Sequence, residues 1–177
     1  WGEEPDETLA GLVKALEPAQ GAKVLDAGCG AGRNAPPLIS LGLEYFGIDI
    51  AEAALELARK NLPGVNFALE DILEFDGSGF DLAVDFGCFH TLAPRKRNRY
   101  FESMKKAVRA GGALIVAAWS GETTTLPIEY SVGTLPEWAC SESDMENLAS
   151  PEFETIRSET RREGKWTMRY YVMAKRK

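Results

Sequence analysis

Cysteine and histidine are scarce in this chain. Three cysteines, Cys29, Cys88 and Cys140, and a single histidine, His90, stand among 177 residues. Thiols so few and so scattered exclude a disulfide framework and a CxxC metal motif, and one imidazole leaves a zinc site short of ligands. No bound metal is expected, and a reducing, cytoplasmic setting fits best. Long apolar runs are lacking too: none reaches the length that spans a bilayer, and nothing resembles a secretory signal, so no membrane partner is expected. Excess positive charge is absent as well. A net charge of -7 would repel nucleic-acid phosphates over most of the surface, which argues against such a partner. The two basic runs, Arg95-Lys96-Arg97 and Lys175-Arg176-Lys177, read as solvated faces. The alternative is that Arg95, Arg97 or Arg99 attracts an anionic small substrate. The first residue, Trp1, is not a methionine, which leaves upstream residues as candidates for completing a site.

What is present is an ordinary globular composition, 45% hydrophobic and 27% charged. The length favours one domain over residues 1–177 with a core of its own. Short runs rich in Val, Ile, Leu and Phe, at Lys23–Ala27, Glu44–Asp49, Val65–Glu70, Phe80–Phe86 and Ala113–Trp119, read as strands. Helical stretches alternate with them. Ala51–Asn61 carries Ala54, Leu55 and Ala58 on one face, and Arg95–Arg109 carries Phe101, Met104 and Val108 on one face. Pro36 and Pro37 remain compatible with a helix to about Leu41 if Asn34 is its N-cap, because both then fall in the first turn. Alternating units of this length imply a parallel sheet covered by helices. Periodicity lapses over 120–140, an irregular insertion carrying Pro127, Tyr130, Gly133 and Trp138 that is a candidate substrate lid. A short helix at Glu142–Ala149 follows, then strands Phe153–Arg162 and Lys165–Lys175 joined through Glu163-Gly164. The expected fold is α/β: a Rossmann-like, doubly wound, mostly parallel seven-stranded sheet ending in an antiparallel hairpin.

The stretch VLDAGCGAGRN, Val24 to Asn34, carries the chemistry. Its glycines, Gly28, Gly30 and Gly32, are spaced G-x-G-x-G, and Arg33 fills the slot where a dinucleotide fingerprint needs its third glycine. No Gly-Lys-Ser/Thr follows, so the turn is not a Walker A loop. Asp26 would repel a pyrophosphate but suits a ligand with an ammonium or sulfonium charge. The spacing therefore disfavours a nicotinamide cofactor and favours a cationic nucleoside.

This stretch is similar to motif I of class I S-adenosylmethionine-dependent methyltransferases. YFGIDI resembles their second strand, FALEDIL their third, FDLAVDFGCFHTL their fourth with its loop, and RAGGALIVAAW the turn into their fifth. The similarity covers residues 23–119, with the motifs in order. DFGCFHTL followed by RKRNRY further resembles the small-molecule subgroup of the thiopurine and tellurite-resistance kind. Phe86 stands where many of its members have arginine, and Thr91 where some have a second histidine. The resemblance implies S-adenosyl-L-methionine as cofactor, with S-adenosyl-L-homocysteine as product. It places Asp26, Gly28, Cys29, Gly30 and Arg33 at the first turn of the cofactor site. Asp49 would accept the ribose hydroxyls, with Ile50, Asp71, Ile72, Asp85 and Phe86 around the rest of the molecule. Backbone N–H groups of Gly28 to Gly32 would open a helix favourable to the cofactor carboxylate.

Methyl transfer from a sulfonium needs alignment more than covalent help, so a base is required only if the acceptor carries a proton. Asp85 and His90 are the candidates, and a packed, non-catalytic histidine is the competing reading for His90. Asp26, Asp49 and Asp71 could instead be turn or helix-start residues, and Cys29 a small turn residue. Trp1, beside Gly2 and Pro5, resembles a segment that closes over the cofactor in these relatives. Trp119, Tyr130 and Trp138 either line the substrate side or fill core. The expected activity is methyl transfer to a small-molecule acceptor by in-line displacement. A non-catalytic binding module that holds the same cofactor is the alternative, and a nicotinamide oxidoreductase the more distant one. The acceptor, and the number of copies that assemble, are not written in the sequence.

Overall fold

The computed structural model describes residues 4–124, 136–164 and 166–177. Every apolar run singled out above forms a strand: β1 (Lys23–Ala27), β2 (Glu44–Asp49), β3 (Asn66–Leu69), β4 (Phe80–Phe86), β5 (Val108–Ser120), β6 (Phe153–Glu163) and β7 (Trp166–Lys175). They make one seven-stranded sheet in the order β3-β2-β1-β4-β5-β7-β6. The first five strands pair in parallel, and β7 pairs antiparallel with both β5 and β6. Strand order reverses between β1 and β4, and ligands of such sheets bind at the carboxyl edge of that reversal.

Helices α1 (Glu7–Ala15), α2 (Ala35–Ser40), α3 (Glu52–Asn61), α4 (Arg97–Ala107) and α5 (Glu142–Ala149) cover the sheet. Successive strand residues alternate between its two faces. Leu25, Ala83, Leu114 and Val116 pack with Phe101 and Met104 of α4 and Met145 of α5. Val24, Val84, Ile115 and Ala117 pack with Leu9, Leu12 and Val13 of α1 and Leu38 of α2.

Four departures from the sequence reading have identifiable physical causes. Helix α1 is an addition, started by Asp6, whose carboxylate accepts a 2.7 Å hydrogen bond from the Leu9 amide. Asn34 precedes α2, but its side chain makes no cap; its Oδ1 accepts from the Asp6 amide instead, tying the two helix starts together. Strand β5 begins at Val108 rather than Ala113, because Val108 pairs with Phe80 before a register shift that brings Leu82 opposite Ala113. Gly112 allows this: a Cβ there would lie 2.7 Å from the Asp81 carbonyl oxygen. Finally, β6 runs to Glu163, which pairs with Trp166, so the hairpin turns one residue later than expected, at Gly164.

The basic run at 95–97 is only partly a solvated face. Arg95 and Lys96 are exposed, but Arg97 is 1% exposed, with its guanidinium 4.8 Å from the Phe89 ring centroid. It donates to the carbonyl oxygens of Trp138 at 3.1 Å and Ala139 at 3.2 Å, holding residues 138–140 across the sheet edge as a strap. The strap is also joined by the Trp138 amide to the His90 carbonyl and by the Cys140 amide to the Trp119 carbonyl. Lys175 likewise spends its ammonium inward, on the carbonyls of Lys105 and Val108.

Candidate functional site

The glycine turn leaves the end of β1 and hangs from the end of β2. Amides of Gly28 and Cys29 both donate to the Ile48 carbonyl, at 2.8 and 3.0 Å. The Gly30 amide donates to Asp49 Oδ2 at 2.8 Å, and the Ala51 amide to Oδ1 at 2.9 Å. Gly28 and Gly32 need to be glycine for both conformation and space. Their φ values are 71° and 78°; a Cβ would meet Cys88 Cβ at 2.5 Å in the first case and Phe67 Cζ at 2.9 Å in the second.

Beside this turn lies a cleft of about 760 Å³, within the range of small-molecule and cofactor sites. Its lining includes Gly28, Cys29, Gly30 and Arg33 of the turn, Asp49 and Ile50 at the end of β2, and Asp71 and Ile72 after β3. Phe86 closes the side formed by β4. Ile50 is 70% exposed, an apolar wall without a protein partner, as a purine site requires. Each Asp49 oxygen takes one amide and keeps a lone pair for a further donor. Asp71 binds the Leu73 amide at 2.9 Å, a local turn that fixes its place on the rim. Arg33 lies with its guanidinium 4.6 Å from the Phe86 ring centroid. Helix α2 has six residues and two prolines in its first turn, which donate no N–H groups, and among the described residues Arg33 is the positively charged side chain in the lining.

Three sequence candidates lie outside the lining. Asp26 is 1% exposed beneath the turn, and its Oδ2 accepts from the Tyr45 hydroxyl at 2.7 Å. Asp85 is buried, and burial pushes its carboxyl up to about 7 against the opposing hydrogen bond from the Phe89 amide. Its oxygens take the amides of Cys88 and Phe89, so it anchors its own loop and faces away from the cleft. His90 is fully buried and stacks on Trp119 with ring centroids 5.4 Å apart. Its burial and stacking match the packed reading. Trp119 is core as well, 2% exposed with its Nε1 donating to Glu137. Trp138 does not line the cleft either, while Trp1 and Tyr130 fall outside the described residues. The arginine presented to the cleft is Arg33, not Arg95, Arg97 or Arg99; the last is bonded to Leu73 and Glu74.

Sequence reasoning missed Leu57, Leu62, Glu70, Thr91 and Leu92, all of which line the cleft. Leu57 lies off the apolar face of α3 and is 46% exposed, and an exposed leucine on that helix was the available signal.

Burial drops the His90 imidazole to about 3. The folded protein thus keeps it neutral while the unfolded chain protonates it near its ordinary value. Stability from this residue is complete above about pH 6.5 and declines as pH falls toward 3, at up to about 1.4 kcal/mol per pH unit. His90→Phe should flatten that part of the stability profile in denaturant titrations, and an unchanged slope would contradict the burial argument.

A glycine turn, a carboxylate at the end of the next strand and an apolar-walled cleft at the strand-order reversal define a class I fold that grips a nucleoside-bearing cofactor. The methyltransferase-domain family matches residues 24–112, and the chain belongs to that family. An uncharacterized methyltransferase of Schizosaccharomyces pombe is 36% identical over 104 residues, covering 55% of this chain and 71% of that protein. A probable thiol methyltransferase of Arabidopsis thaliana is 29% identical over 155 residues, 84% of this chain and 65% of that protein. Among solved structures, the Burkholderia thailandensis 1,6-didemethyltoxoflavin-N1-methyltransferase has a TM-score of 0.79 at 20% identity, covering 97% of this chain and 78% of that one. S-adenosylmethionine is the group that fits these residues. Each Asp49 oxygen keeps a lone pair for a hydroxyl donor, Ile50 and Ile72 offer apolar walls, and Arg33 brings a positive charge to the lining.

Proposed function

We propose that this methyltransferase acts on a small-molecule acceptor by in-line displacement, with S-adenosylmethionine in the cleft beside Gly28–Arg33. The observation that carries the reading is the Asp49 carboxylate, fixed by the Gly30 amide and presented to the cleft. When bound, the cofactor supplies an activated methyl group on a sulfonium. Asp49 holds the ribose, Arg33 the carboxylate, and Phe86, Thr91 and Leu92 form the side from which an acceptor approaches. Cys29, Asp71 and the rest of the lining orient and enclose rather than exchange protons, and Asp26 supports the turn from beneath.

Asp85 and His90 are turned into the protein, so neither takes a proton from a substrate in the cleft. This favours an acceptor whose attacking atom is already deprotonated near neutral pH. The thiol-methyltransferase relative supports that class, and the toxoflavin enzyme supports a small molecule more generally. The same withdrawal of both groups also favours the alternative of a binding module without turnover. We place residues 1–177 in a single domain, in which most of the segment 120–140 expected as a substrate lid lies outside the described residues, and we place the protein in the cytoplasm, a setting supported by three unpaired thiols. Among the described residues no helix is long and apolar enough to cross a membrane.

A radiolabelled methyl-transfer screen over thiols, amines, oxyanions and carboxylates tests the reading, with Asp49→Ala as the blank. Label should pass to thiols or other soft anions. Tight cofactor binding with no transfer to any acceptor would establish the binding module instead.

A further inference from the structure

Beneath the glycine turn is a second layer of side chains that does not reach the cleft. Tyr45, buried in β2, donates its hydroxyl to Asp26 Oδ2 in β1 at 2.7 Å. The path of that side chain runs past Gly47. A Cβ at Gly47 would stand 2.9 Å from the Tyr45 hydroxyl oxygen, 2.8 Å from Cys29 Sγ and 2.9 Å from Phe67 Cδ1. Three side chains converge over one residue that has none, and one of the three belongs to the cofactor turn. The φ of Gly47 is not positive, so space rather than backbone freedom demands glycine there. Phe67 fixes the ring from the other side, edge-on with centroids 5.8 Å apart.

We propose that Tyr45 is a positioning residue for the cofactor: its hydroxyl holds Asp26 as a carboxylate under the turn, and Gly47 provides the space this arrangement needs. The inference rests on the reading of the cleft as an S-adenosylmethionine site. The groups facing Asp26 are Tyr45 and Asp49 of β2, Cys29 and Arg33 of the turn, and Asp85 and Cys88 of β4 and its loop. Burial pushes the Asp26 carboxyl up to about 6, while the Tyr45 hydrogen bond and Arg33 pull it down and Asp49 pushes it up. A cofactor of net positive charge prefers the ionised form. Binding is therefore strong above the titration of Asp26 and weakens as pH falls through it. Removing the hydroxyl moves that decline to higher pH.

Calorimetry with S-adenosylmethionine and S-adenosylhomocysteine between about pH 5.5 and 8.5 tests this on wild type, Tyr45→Phe and Asp26→Asn. The Tyr45→Phe curve should move up by about one pH unit, giving about three- to tenfold weaker binding near neutrality and recovery at the alkaline end. The displacement should be larger for S-adenosylmethionine, which alone carries the sulfonium, and Asp26→Asn should bind with little pH dependence. Gly47→Ala, which crowds the hydroxyl, should move the curve in the same direction. Carbon-13 NMR of the Asp26 carboxyl in cofactor-free protein should report the same order of titration midpoints. Superimposable curves, or weakening that is uniform across pH in both variants, overturn the proposal. If Tyr45→Phe does not fold, Gly47→Ala decides: an Asp26 midpoint in that variant no higher than in wild type overturns the proposal. A wild type that binds neither molecule at any pH refutes the cofactor reading itself and takes this inference with it.

Discussion

Replacing Arg97 with methionine should cost the fold about 3 kcal/mol, lowering the melting temperature by about 6–12 °C in a protein of this size. The guanidinium is 1% exposed, and carbonyl oxygens of Leu92, Trp138 and Ala139 take its donors. Methionine fills much of the volume but leaves those buried oxygens without donors, and an unpaired buried polar group costs about 1–3 kcal/mol. It also removes the cation from the face of Phe89. Lysine should rescue only part of the loss, because an ammonium cannot reproduce the planar fork that spans two successive carbonyls. The strap at 138–140 would loosen while the glycine turn stays as it is, so cofactor Kd should be unchanged. A melting temperature within a degree or two of wild type would remove the strap from the account.

Asp49→Ala carries the second large effect, on binding rather than folding. Each hydrogen bond between a carboxylate and a ribose hydroxyl is worth about 1.5–3 kcal/mol, so two of them lost imply at least a tenfold fall in affinity. The structure adds to this. Asp49 also holds the Gly30 amide at 2.8 Å, and without it the turn loses one of its attachments to β2. The combined loss should be on the order of 100-fold in calorimetry with S-adenosylhomocysteine. The protein should still fold, because the remaining attachments, Gly28 and Cys29 to the Ile48 carbonyl, are backbone bonds. Asp49→Asn keeps one acceptor oxygen and should fall between the two. Unchanged affinity in the alanine variant would end the ribose assignment.

The fold was legible in the sequence wherever a side chain's role is set by its immediate neighbours. β1, β2 and β4 fall where their apolar runs do, because a strand buried on both faces leaves few alternatives in so short a segment. The place of Gly28, Asp49 and Ile50 along the cleft was legible for the same reason: each stands at or just past the end of its own strand. What was not legible depends mainly on contacts distant in sequence. His90 stands in the expected loop, but its ring packs on Trp119 of β5; Asp85, the exception, stands near the end of β4 and takes the nearby amides of Cys88 and Phe89. Arg97 looked like one charge in a basic run because its partners lie 41 and 42 residues away. Asn34 looked like a helix cap because nothing local reveals that the Asp6 amide, 28 residues earlier, claims its side chain.

The strand order has a consequence for how the chain reaches its native state. β7 lies between β5 and β6, although it is made after both. During synthesis β1 to β5 emerge in a sequence that allows each to find its parallel neighbour, whereas β5 keeps an open edge from Ser120 until Trp166 and its successors appear. That edge belongs to a strand whose residues 114–119 are all buried in the finished sheet. An open, apolar edge is a template for intermolecular pairing. Truncations or slow translation ahead of β7 should therefore promote aggregation, while the half of the sheet that forms the cofactor turn is already assembled.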